Sequence, residues 1–265
     1  LWSRGEELIT EPFPEIVDAA AALPDATVPD GEVVAWRDGA IPPFAELQQR
    51  IGRRKLGAAI LERVPVRFLA YDLIEAEHTD LRELPLQQRR ARLEALLADA
   101  PPTLAVSPLI EATSWEALAA LRAESLARNV EGLILKARHS RYGSGRQRGS
   151  WWKWKIDPRS FDAVMLYAHP GHGRRSNLYT DYTFGVWRDG ELVPVAKAYS
   201  GLSDAEIAEL DRWIRAHTLE KFGPVRSVEP TQVFELAYEG IAASKRHKSG
   251  IALRFPRILR RRPDK

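Results

Sequence analysis

The apolar positions in the first 156 residues recur at intervals that predict a mixture of strands and helices. Alternation over residues 28–36 and a continuous apolar run over residues 66–74 predict two strands. Apolar residues three and four positions apart predict four helices, at residues 12–23, 44–51, 86–97 and 114–128. Short runs predict further strands at residues 1–5, 133–137 and 151–156. This half of the chain therefore has the pattern of an α+β domain.

After residue 160 the pattern changes to short alternating strands. They are predicted at residues 161–168, 179–187, 192–199, 232–239 and 251–256. Asp189-Gly190 supplies a hairpin turn between two of them, as Asp38-Gly39 does earlier in the chain. One helix interrupts the strands at residues 203–218, where Ser203 and Glu206 form a capping box. Four or five strands with one helix are typical of a small closed β-barrel of the OB type.

A domain boundary is predicted between the two patterns. Asp157-Pro158 ends the preceding strand, and the polar residues around it suit a hinge. The sequence thus predicts two domains, residues 1–157 and 158–265.

Composition narrows the class of protein. The chain has no cysteine, which excludes disulfides, thiol catalysis and thiolate metal sites. It has no apolar run long enough to predict a membrane span, and no basic and apolar segment at Leu1 that predicts export. These features favour a cytoplasmic protein that does not bind membranes.

The charges are concentrated in two basic segments, residues 136–159 and 245–265. Together they hold 17 of the 39 basic residues and 2 of the 36 acidic residues. The remainder, with 22 basic and 34 acidic residues, carries a charge of −12. Concentrated basic segments on an acidic body favour a directed site for a polyanion such as a nucleotide or nucleic acid. A charged loop and a charged terminal tail are the structural alternative.

The segment 131–155 carries the strongest chemical signal. Glu131 begins an apolar run, and residues 151–155 alternate tryptophan and lysine. A carboxylate binds a hard cation and lysines neutralise phosphoryl oxygens, so the segment predicts a pocket for a metal-bound nucleotide phosphate. The alternative is a strand end followed by a half-buried strand with a solvated face.

Short motifs in fixed order extend this signal over the whole chain. They are SRGEE, DGE, FLAYDLIE, EGLILK, WWKWK, RHKSG and RFPRILRRRPDK. In this order they resemble the ATP-dependent DNA ligases of the bacterial type, in the covalent nucleotidyltransferase superfamily. The resemblance implies an α+β fold: an adenylation domain with antiparallel sheets and flanking helices, followed by an OB-fold β-barrel. It also implies ATP and Mg²⁺ as cofactors, nicked double-stranded DNA as partner, and a monomer at the bacterial nucleoid.

The resemblance assigns roles in the adenylation domain. Arg4 is implied to contact the 5′-phosphate of the nick, and Glu32 the ribose of the nucleotide. Asp30 is placed near the metal, Glu131 is a metal ligand, and Tyr71 stacks on adenine.

Further roles concern phosphates and DNA. Lys153 and Lys155 are implied to bind the α-phosphate, and either Arg146 or Arg148 contacts phosphate; the spacing leaves both open. In the OB domain the implied residues that orient the pyrophosphate leaving group are Arg254, Arg257, Asp264 and Lys265. The RHKSG motif adds a strip for the DNA backbone, with Arg246 and Lys248 as its cations.

The nucleophile motif of the family is missing. A Lys-x-Asp-Gly sequence occurs nowhere in the 265 residues, and the nearest imitation, at residues 155–158, lacks the glycine. We therefore expect a chain truncated before its nucleophilic lysine, with possible further domains upstream of Leu1, that does not adenylate itself.

Two alternatives are weighed against this interpretation. The missing lysine motif favours a non-catalytic fragment that binds nicks or DNA. An RNA ligase or a capping nucleotidyltransferase shares the nucleotide pocket, but residues 246–265 match the DNA ligase pattern better. The sequence leaves open whether the protein acts in repair, replication or recombination by end joining.

Overall fold

The computed structural model describes residues 1–51, 53, 56–145 and 148–265, and the chain divides into unit 1, residues 1–156, and unit 2, residues 157–265. This division lies one residue before the boundary that the sequence predicts.

Unit 1 alternates strands and short helices. Its elements are α1 (Pro14–Ala20), β1 (Val28–Ala35), α2 (Phe44–Gln48), α3 (Ala58–Arg63), β2 (Val66–Ala76), β3 (Thr79–Asp80), α4 (Leu86–Leu96), β4 (Leu104–Val106), α5 (Trp115–Ala123), β5 (Gly132–Lys136) and β6 (Trp151–Lys155).

The long strand β2 is the centre of unit 1. It pairs antiparallel with β1 and β3 and parallel with β4. Its Ala70 and Leu73 are buried with Ile16 of α1 and Leu93 of α4. Helices α1, α2, α3 and α4 thus contribute buried residues to one apolar core with this sheet, whereas α5 buries none.

A β-bulge interrupts the pairing of β1 with β2. Asp30 pairs with Asp72 and Gly31 with Ala70, so Tyr71 is the extra residue on β2. A Cβ atom at Gly31 would lie 2.6 Å from the Leu69 carbonyl oxygen, which explains why glycine is required there. Because bulges redirect side chains, Tyr71 leaves the regular alternation of its strand.

The strands β5 and β6 form a separate antiparallel pair joined by the loop 137–150. Lys136 pairs with Trp151, Ile134 with Lys153, and Gly132 with Lys155. Part of the loop packs at the start of α4, where the Leu86 amide donates to the Ser140 carbonyl at 2.8 Å.

Unit 2 consists mainly of strands. Its elements are β7 (Arg159–Pro170), β8 (Tyr179–Arg188), β9 (Glu191–Ala198), α6 (Asp204–Ala216), β10 (Thr218–Phe222), β11 (Val225–Val228), β12 (Val233–Tyr238), β13 (Gly240–Ala243), β14 (Ile251–Arg254) and β15 (Arg257–Arg261).

Strand β7 organises unit 2 because both of its edges are paired. Val164 pairs with Gly185 of β8 and also with Val233 of β12. The seven-stranded sheet encloses a core that includes Phe184, Phe234 and Leu236. Leu210 and Ile214 of α6 are buried in the same core.

The structure confirms most predicted elements to within a few residues. Ser114 caps α5, and Ser203 with Glu206 forms the capping box of α6. Both Asp-Gly turns have positive φ at each of their two residues.

The structure differs from the predicted elements in three respects. Residues 1–5 form no strand: Trp2 makes a single bridge to Leu8 around a turn. Helix α3 was not predicted, because its six residues are too few to show a period. Unit 2 has nine strands among its described residues, not four or five. Those missed are short, and β10 and β15 are rich in polar residues that read as a charged surface.

No helix in the described part of the chain is long and apolar enough to cross a membrane.

Arg89 and Asp72 provide a stability test for unit 1. Their ion pair is fully buried, with 2.7 Å between Arg89 Nε and Asp72 Oδ1. We expect Arg89→Met to lower the free energy of unfolding by about 3–5 kcal/mol, because it leaves a buried carboxylate without its partner. The double variant Asp72→Leu/Arg89→Met should recover much of that loss. Urea unfolding measures both.

The control is Arg82→Met, which removes an exposed ion pair with Asp80 and should change stability little. Equal unfolding midpoints for Arg89→Met and Arg82→Met would contradict the central role of the buried pair.

Candidate active site

The carboxylate of Asp30 is the point at which three elements of unit 1 meet. The Tyr71 hydroxyl donates to Asp30 Oδ1 at 3.2 Å, and the Tyr142 hydroxyl donates to Oδ2 at 2.8 Å. Asp30 comes from β1, Tyr71 is the bulged residue of β2, and Tyr142 belongs to the loop 137–150. The bulge therefore creates the geometry that joins Tyr71 to Asp30.

Aromatic rings and one ammonium group surround this carboxylate. Trp151 lies edge-on to Tyr71 at 6.4 Å and to Tyr142 at 6.1 Å between ring centroids. Lys136 Nζ lies 3.9 Å from the ring centroids of both Tyr71 and Trp151. We call Tyr71, Tyr142 and Trp151 the aromatic cluster. Its rings attract the ammonium through their quadrupoles.

Strand pairing places the predicted phosphate-binding lysines beside this cluster. Paired residues of an antiparallel ladder share a face, and residues two apart on one strand do so as well. Lys136 therefore shares one face of the hairpin with Trp151, Lys153 and Lys155. This face carries three lysines.

Glu131 lies at the end of the same hairpin. Its carboxylate is 2.7 Å from Lys155 Nζ, and both side chains are about half exposed. Lys153 is also exposed. The structure thus brings Glu131 to Lys155.

Burial changes the acidity of the groups around Asp30. Burial, and then the nearby Asp30 carboxylate, raises the pKa of Tyr71 well above its ordinary value. Burial and the hydrogen bond to Asp30 do the same to the pKa of Tyr142. Burial lowers the pKa of Lys136 to about 8, although Asp72 and Asp30 oppose the shift. Both tyrosines therefore remain hydrogen-bond donors at neutral pH, whereas Lys136 titrates close to it.

The buried ion pair of Asp72 and Arg89 holds the loop 137–150 in position next to the site. Arg89 Nη1 also donates to the Ser140 carbonyl at 3.1 Å, and Ser140 Oγ lies 3.3 Å from Trp151 Nε1. Arg89 thereby fixes the loop that carries Tyr142, and Ser140 links that loop to Trp151.

The two predicted metal ligands, Asp30 and Glu131, have different partners in the structure. The described residues contain no cluster of three or more histidine, aspartate or glutamate side chains that suits a metal ion. Both oxygens of Asp30 accept hydroxyl hydrogens, so the structure gives this residue another set of partners. Glu131, with an exposed carboxylate, retains the chemistry of a Mg²⁺ ligand.

The remaining predicted residues of unit 1 lie at the surface. Arg4 is exposed in the turn between Trp2 and Leu8. Glu32 is exposed on β1 and lies near enough to Tyr71 to contribute to its raised pKa. Arg148 is exposed in the loop before β6, and Arg146 lies outside the described residues.

In unit 2 the predicted leaving-group residues separate into two pairs. Arg257 faces Ala237 at one end of the β12–β15 ladder, and Arg254 precedes it at the end of β14. Asp264 and Lys265 follow the other end of that ladder, in a turn that the Lys265 amide closes by donating to the Arg262 carbonyl. The assignment of all four residues to the pyrophosphate leaving group stays a prediction.

Arg262 connects the second pair to β7. It forms ion pairs with Asp264 at 2.7 Å and with Asp162 at 3.0 Å, and Lys265 also bonds to Asp162. The hydrogen bonds from Arg262 lower the pKa of Asp264 to about 2. Asp162 is thus the counter-ion for two cations near the end of the chain.

The predicted DNA-binding cations lie in the turn after β13. Arg246 and Lys248 are exposed. Arg188 donates to the Lys248 carbonyl at 3.2 Å, which ties this turn to β8. The turn therefore presents its cations to solvent from a fixed position.

Comparison with known families decides the class of protein. Residues 1–155 match the ATP dependent DNA ligase domain, and residues 175–265 match the ATP dependent DNA ligase C terminal region. The chain belongs to the ATP-dependent DNA ligase family. Its fold, a nucleotidyltransferase domain followed by an OB-fold domain, is the one the motifs predicted.

Individual relatives of this ligase family support the assignment over the full chain. A probable DNA ligase of Koribacter versatilis is 41% identical over 100% of this chain and 50% of its own length. A DNA ligase of Natronomonas pharaonis is 38% identical over 100% of this chain and 48% of its own length. The chain thus spans about half the length of these relatives.

Solved ligase structures have the same fold. A mycobacterial DNA ligase D complexed with ATP and MES is 26% identical, with a TM-score of 0.50 over 100% of this chain and 82% of that one. A Lig E DNA ligase structure is 23% identical, with a TM-score of 0.69 over 98% of this chain and 85% of that one.

Sequence reasoning missed four residues that the structure places in these clusters: Lys136, Tyr142, Trp151 and Arg262. Two of them, Lys136 and Trp151, lie in motifs that the sequence analysis had already identified. Lys136 ends EGLILK, and the pairing of two short strands sets it on the same face as the WWKWK lysines. Tyr142 and Arg262 depend on contacts distant in sequence, which no local pattern reveals.

Lys136 gives a test with a defined pH dependence. Below pH 8 its ammonium is charged in both states, so the folded state bears the cost of burying it. Between pH 8 and 10.5 the unfolded state holds more protons, so the stability of the wild type rises with pH. We expect Lys136→Met to raise the free energy of unfolding at pH 7 by about 1 kcal/mol, less than the full pKa shift because the rings attract the ammonium.

Urea unfolding at pH 7 and pH 10 measures the effect, which should shrink at the higher pH. Lys153→Met, at an exposed position on the same face, should show no such dependence. A stability difference that is constant or grows with pH would contradict the lowered pKa of Lys136.

Proposed function

We propose that the whole protein is an ATP-dependent DNA ligase that seals nicks in duplex DNA, and that this chain carries its nucleotide pocket and its OB domain. The observation that carries the proposal is the shared face of β5 and β6. Three lysines lie on it beside the Asp30 carboxylate and the aromatic cluster. Such a face combines a surface for a flat base with positive charge for phosphates.

In this proposal the base and ribose bind at one end of the pocket and the phosphates bind at the other. The ring of Tyr71 stacks on adenine, and Glu32, exposed two residues after Asp30, accepts from the ribose hydroxyls. Lys153 and Lys155 bind the α-phosphate as point charges, and Arg148 contacts phosphate from the preceding loop. The order of these residues along the face supports this direction of binding.

Glu131 is the residue that fits Mg²⁺. Mg²⁺ commonly keeps several waters and takes only one or two carboxylates together with substrate phosphates, so a three-acid cluster is not required. When bound, the ion neutralises charge on the phosphoryl oxygens. The Lys155 ammonium, which lies beside Glu131, is a second positive charge that neutralises the phosphoryl oxygens.

The proposed reaction has three phosphoryl transfers. A lysine attacks the α-phosphorus of ATP and pyrophosphate leaves; the AMP then passes to a DNA 5′-phosphate. In the last step the 3′-hydroxyl oxygen bonds to that 5′-phosphorus, AMP leaves, and the hydroxyl proton goes to solvent. Such displacements depend on alignment and on neutralised charge, which Lys153 and Lys155 supply.

The 265 residues contain no Lys-x-Asp-Gly, so the first step is not assigned to this polypeptide. The last step needs no protein nucleophile. This polypeptide is therefore proposed to seal a nick that already carries AMP.

DNA contact is proposed to be directed at the phosphate backbone. Arg246 and Lys248 are exposed in a fixed turn of unit 2, and Arg4 is exposed in unit 1. Side-chain contacts to phosphates carry no sequence information, so we expect binding that is independent of sequence and sensitive to salt.

The missing nucleophile motif favours a second candidate function, a fragment that binds nicks without catalysis. RNA as the substrate is a further alternative. Nicked duplex DNA and nicked RNA in competition distinguish that substrate, and the sealing assay below distinguishes the non-catalytic fragment.

We expect the polypeptide to join a nicked duplex bearing a 5′-adenylate, with release of AMP. Glu131→Gln and Lys153→Met should each slow the joining on the order of 10²-fold, because each removes charge that the transition state requires. Quenched-flow gel assays measure the rate under single-turnover conditions. Lys221→Met, at an exposed lysine in β10, is the matched control.

The same sample, incubated with radiolabelled ATP, should take up no label. Failure of a correctly folded sample to join the adenylated nick would overturn the catalytic proposal and support the non-catalytic fragment. Uptake of label would contradict the proposal that this polypeptide does not carry out the first step.

Salt dependence tests the DNA surface. Neutralising Arg246 and Lys248 with glutamine should weaken binding to all duplexes alike and lower the slope of log K against log salt by about 1 to 2. Fluorescence anisotropy over a salt series measures the slope. Arg175→Gln, at an exposed arginine paired with Asp204, is the control. An unchanged slope would remove these two cations from the interface.

A further inference from the structure

We propose that Tyr142 is a positioning residue for the nucleotide, which orients Tyr71 through the Asp30 carboxylate that both hydroxyls share. The inference rests on the proposed function, because it concerns the ring assigned to adenine.

The shared carboxylate transmits orientation because its two oxygens are used separately. Tyr71 donates to Oδ1 and Tyr142 donates to Oδ2. A carboxylate held at one oxygen keeps freedom to rotate about its side-chain torsion, whereas two donors on different oxygens fix that rotation. With Tyr142 in place, the Tyr71 hydroxyl therefore has one acceptor position.

Tyr71 depends on such a restraint because of its place in the strand. It is the unpaired extra residue of the bulge in β2. The regular cross-strand neighbour that would hold its side chain is absent at a bulge. Its side chain is contacted by Asp30, by the edge of Trp151 and by the Lys136 ammonium, and the Asp30 carboxylate is the contact that its hydroxyl makes.

Tyr142 itself is held from the side of the loop. Its amide donates to the Arg82 carbonyl at 2.8 Å, and Ser140, two residues earlier, is bonded to Leu86 and Arg89. The guanidinium of Arg89 lies 5.8 Å from the centroid of the Tyr142 ring. The loop is thus anchored at the start of α4. The hydrogen bond from the Tyr142 hydroxyl to Asp30 connects the anchored loop to β1.

The surroundings of Tyr142 leave it a positioning role and not a contact with the base. Its hydroxyl is used by Asp30, one edge contact is made with Trp151, and Arg89 lies against the ring. The same loop carries Arg148 toward β6.

Tyr142→Phe tests the inference, since it removes the hydroxyl and keeps the ring. Calorimetry compares the affinity for ATP with that for inorganic tripolyphosphate, which has no base. We expect the Kd for ATP to rise roughly three- to tenfold, with tripolyphosphate unchanged. This is less than the full contribution of one hydrogen bond to a charged group, because Tyr142 acts on the base only through Asp30. A purely structural role would weaken both ligands.

Asp30→Asn provides the second measurement. An amide offers one acceptor oxygen where the carboxylate offers two, so it breaks the shared arrangement. In the Asp30→Asn background, Tyr142→Phe should have no further effect on ATP affinity. Tyr199→Phe, at an exposed tyrosine of unit 2, is the control for loss of a hydroxyl.

The possible results distinguish the positioning role of Tyr142 from the proposed nucleotide pocket. Unchanged ATP affinity in Tyr142→Phe, equal loss for ATP and tripolyphosphate, or additive effects with Asp30→Asn would overturn the positioning role while the ligase proposal stands. A folded wild type that binds tripolyphosphate but not ATP would instead overturn the nucleotide pocket and this inference together.

Discussion

The buried ion pair of Asp72 and Arg89 is the constraint on which the arrangement of unit 1 depends. Neither side chain reaches solvent, and the guanidinium uses its remaining donors on the carbonyls of Leu84 and Ser140. One planar cation thereby joins strand β2, the start of α4 and the loop 137–150. A lysine offers no equivalent, because it lacks the rigid fork of donors. Tyr71 directly precedes Asp72, so the ion pair that stabilises the fold also fixes the backbone that carries Tyr71.

Local pattern was enough to predict the strands of the site but not its geometry. The periodicity of residues 28–36 and 66–74 predicted β1 and β2 correctly, and WWKWK predicted β6. Nothing in that periodicity shows that β2 contains one residue more than its partner at Tyr71. The resemblance places Asp30 near a metal, and the structure adds that both of its carboxylate oxygens accept from tyrosine hydroxyls. Tyr142 lies 112 positions from Asp30, and contacts at that separation follow from tertiary packing alone.

The charge distribution of unit 2 also depends on contacts that local sequence patterns do not reveal. The sequence treats residues 245–265 as one basic segment, but strand pairing divides it. Arg260 meets Glu235, Arg261 meets Glu209, and Arg262 with Lys265 meets Asp162. Each acid comes from a different stretch of the chain, so local composition does not reveal the neutralisation. The exposed turn at Arg246 and Lys248 is therefore the part of this segment that is assigned to the proposed DNA surface.

The position of Lys136 relates the two ends of the pocket to each other. Its ammonium lies over one face of Tyr71, so a base that stacks without displacing it takes the opposite face. The same ammonium shares the hairpin face with Lys153 and Lys155, where phosphates are proposed to bind. Half-burial makes its charge costly in the empty pocket, and a nearby phosphate removes that cost by supplying a counter-charge. In the proposed pocket, nucleotide binding and protonation of Lys136 are therefore linked: a phosphate bound there raises the pKa of Lys136, and the charged form strengthens the binding of phosphate in return.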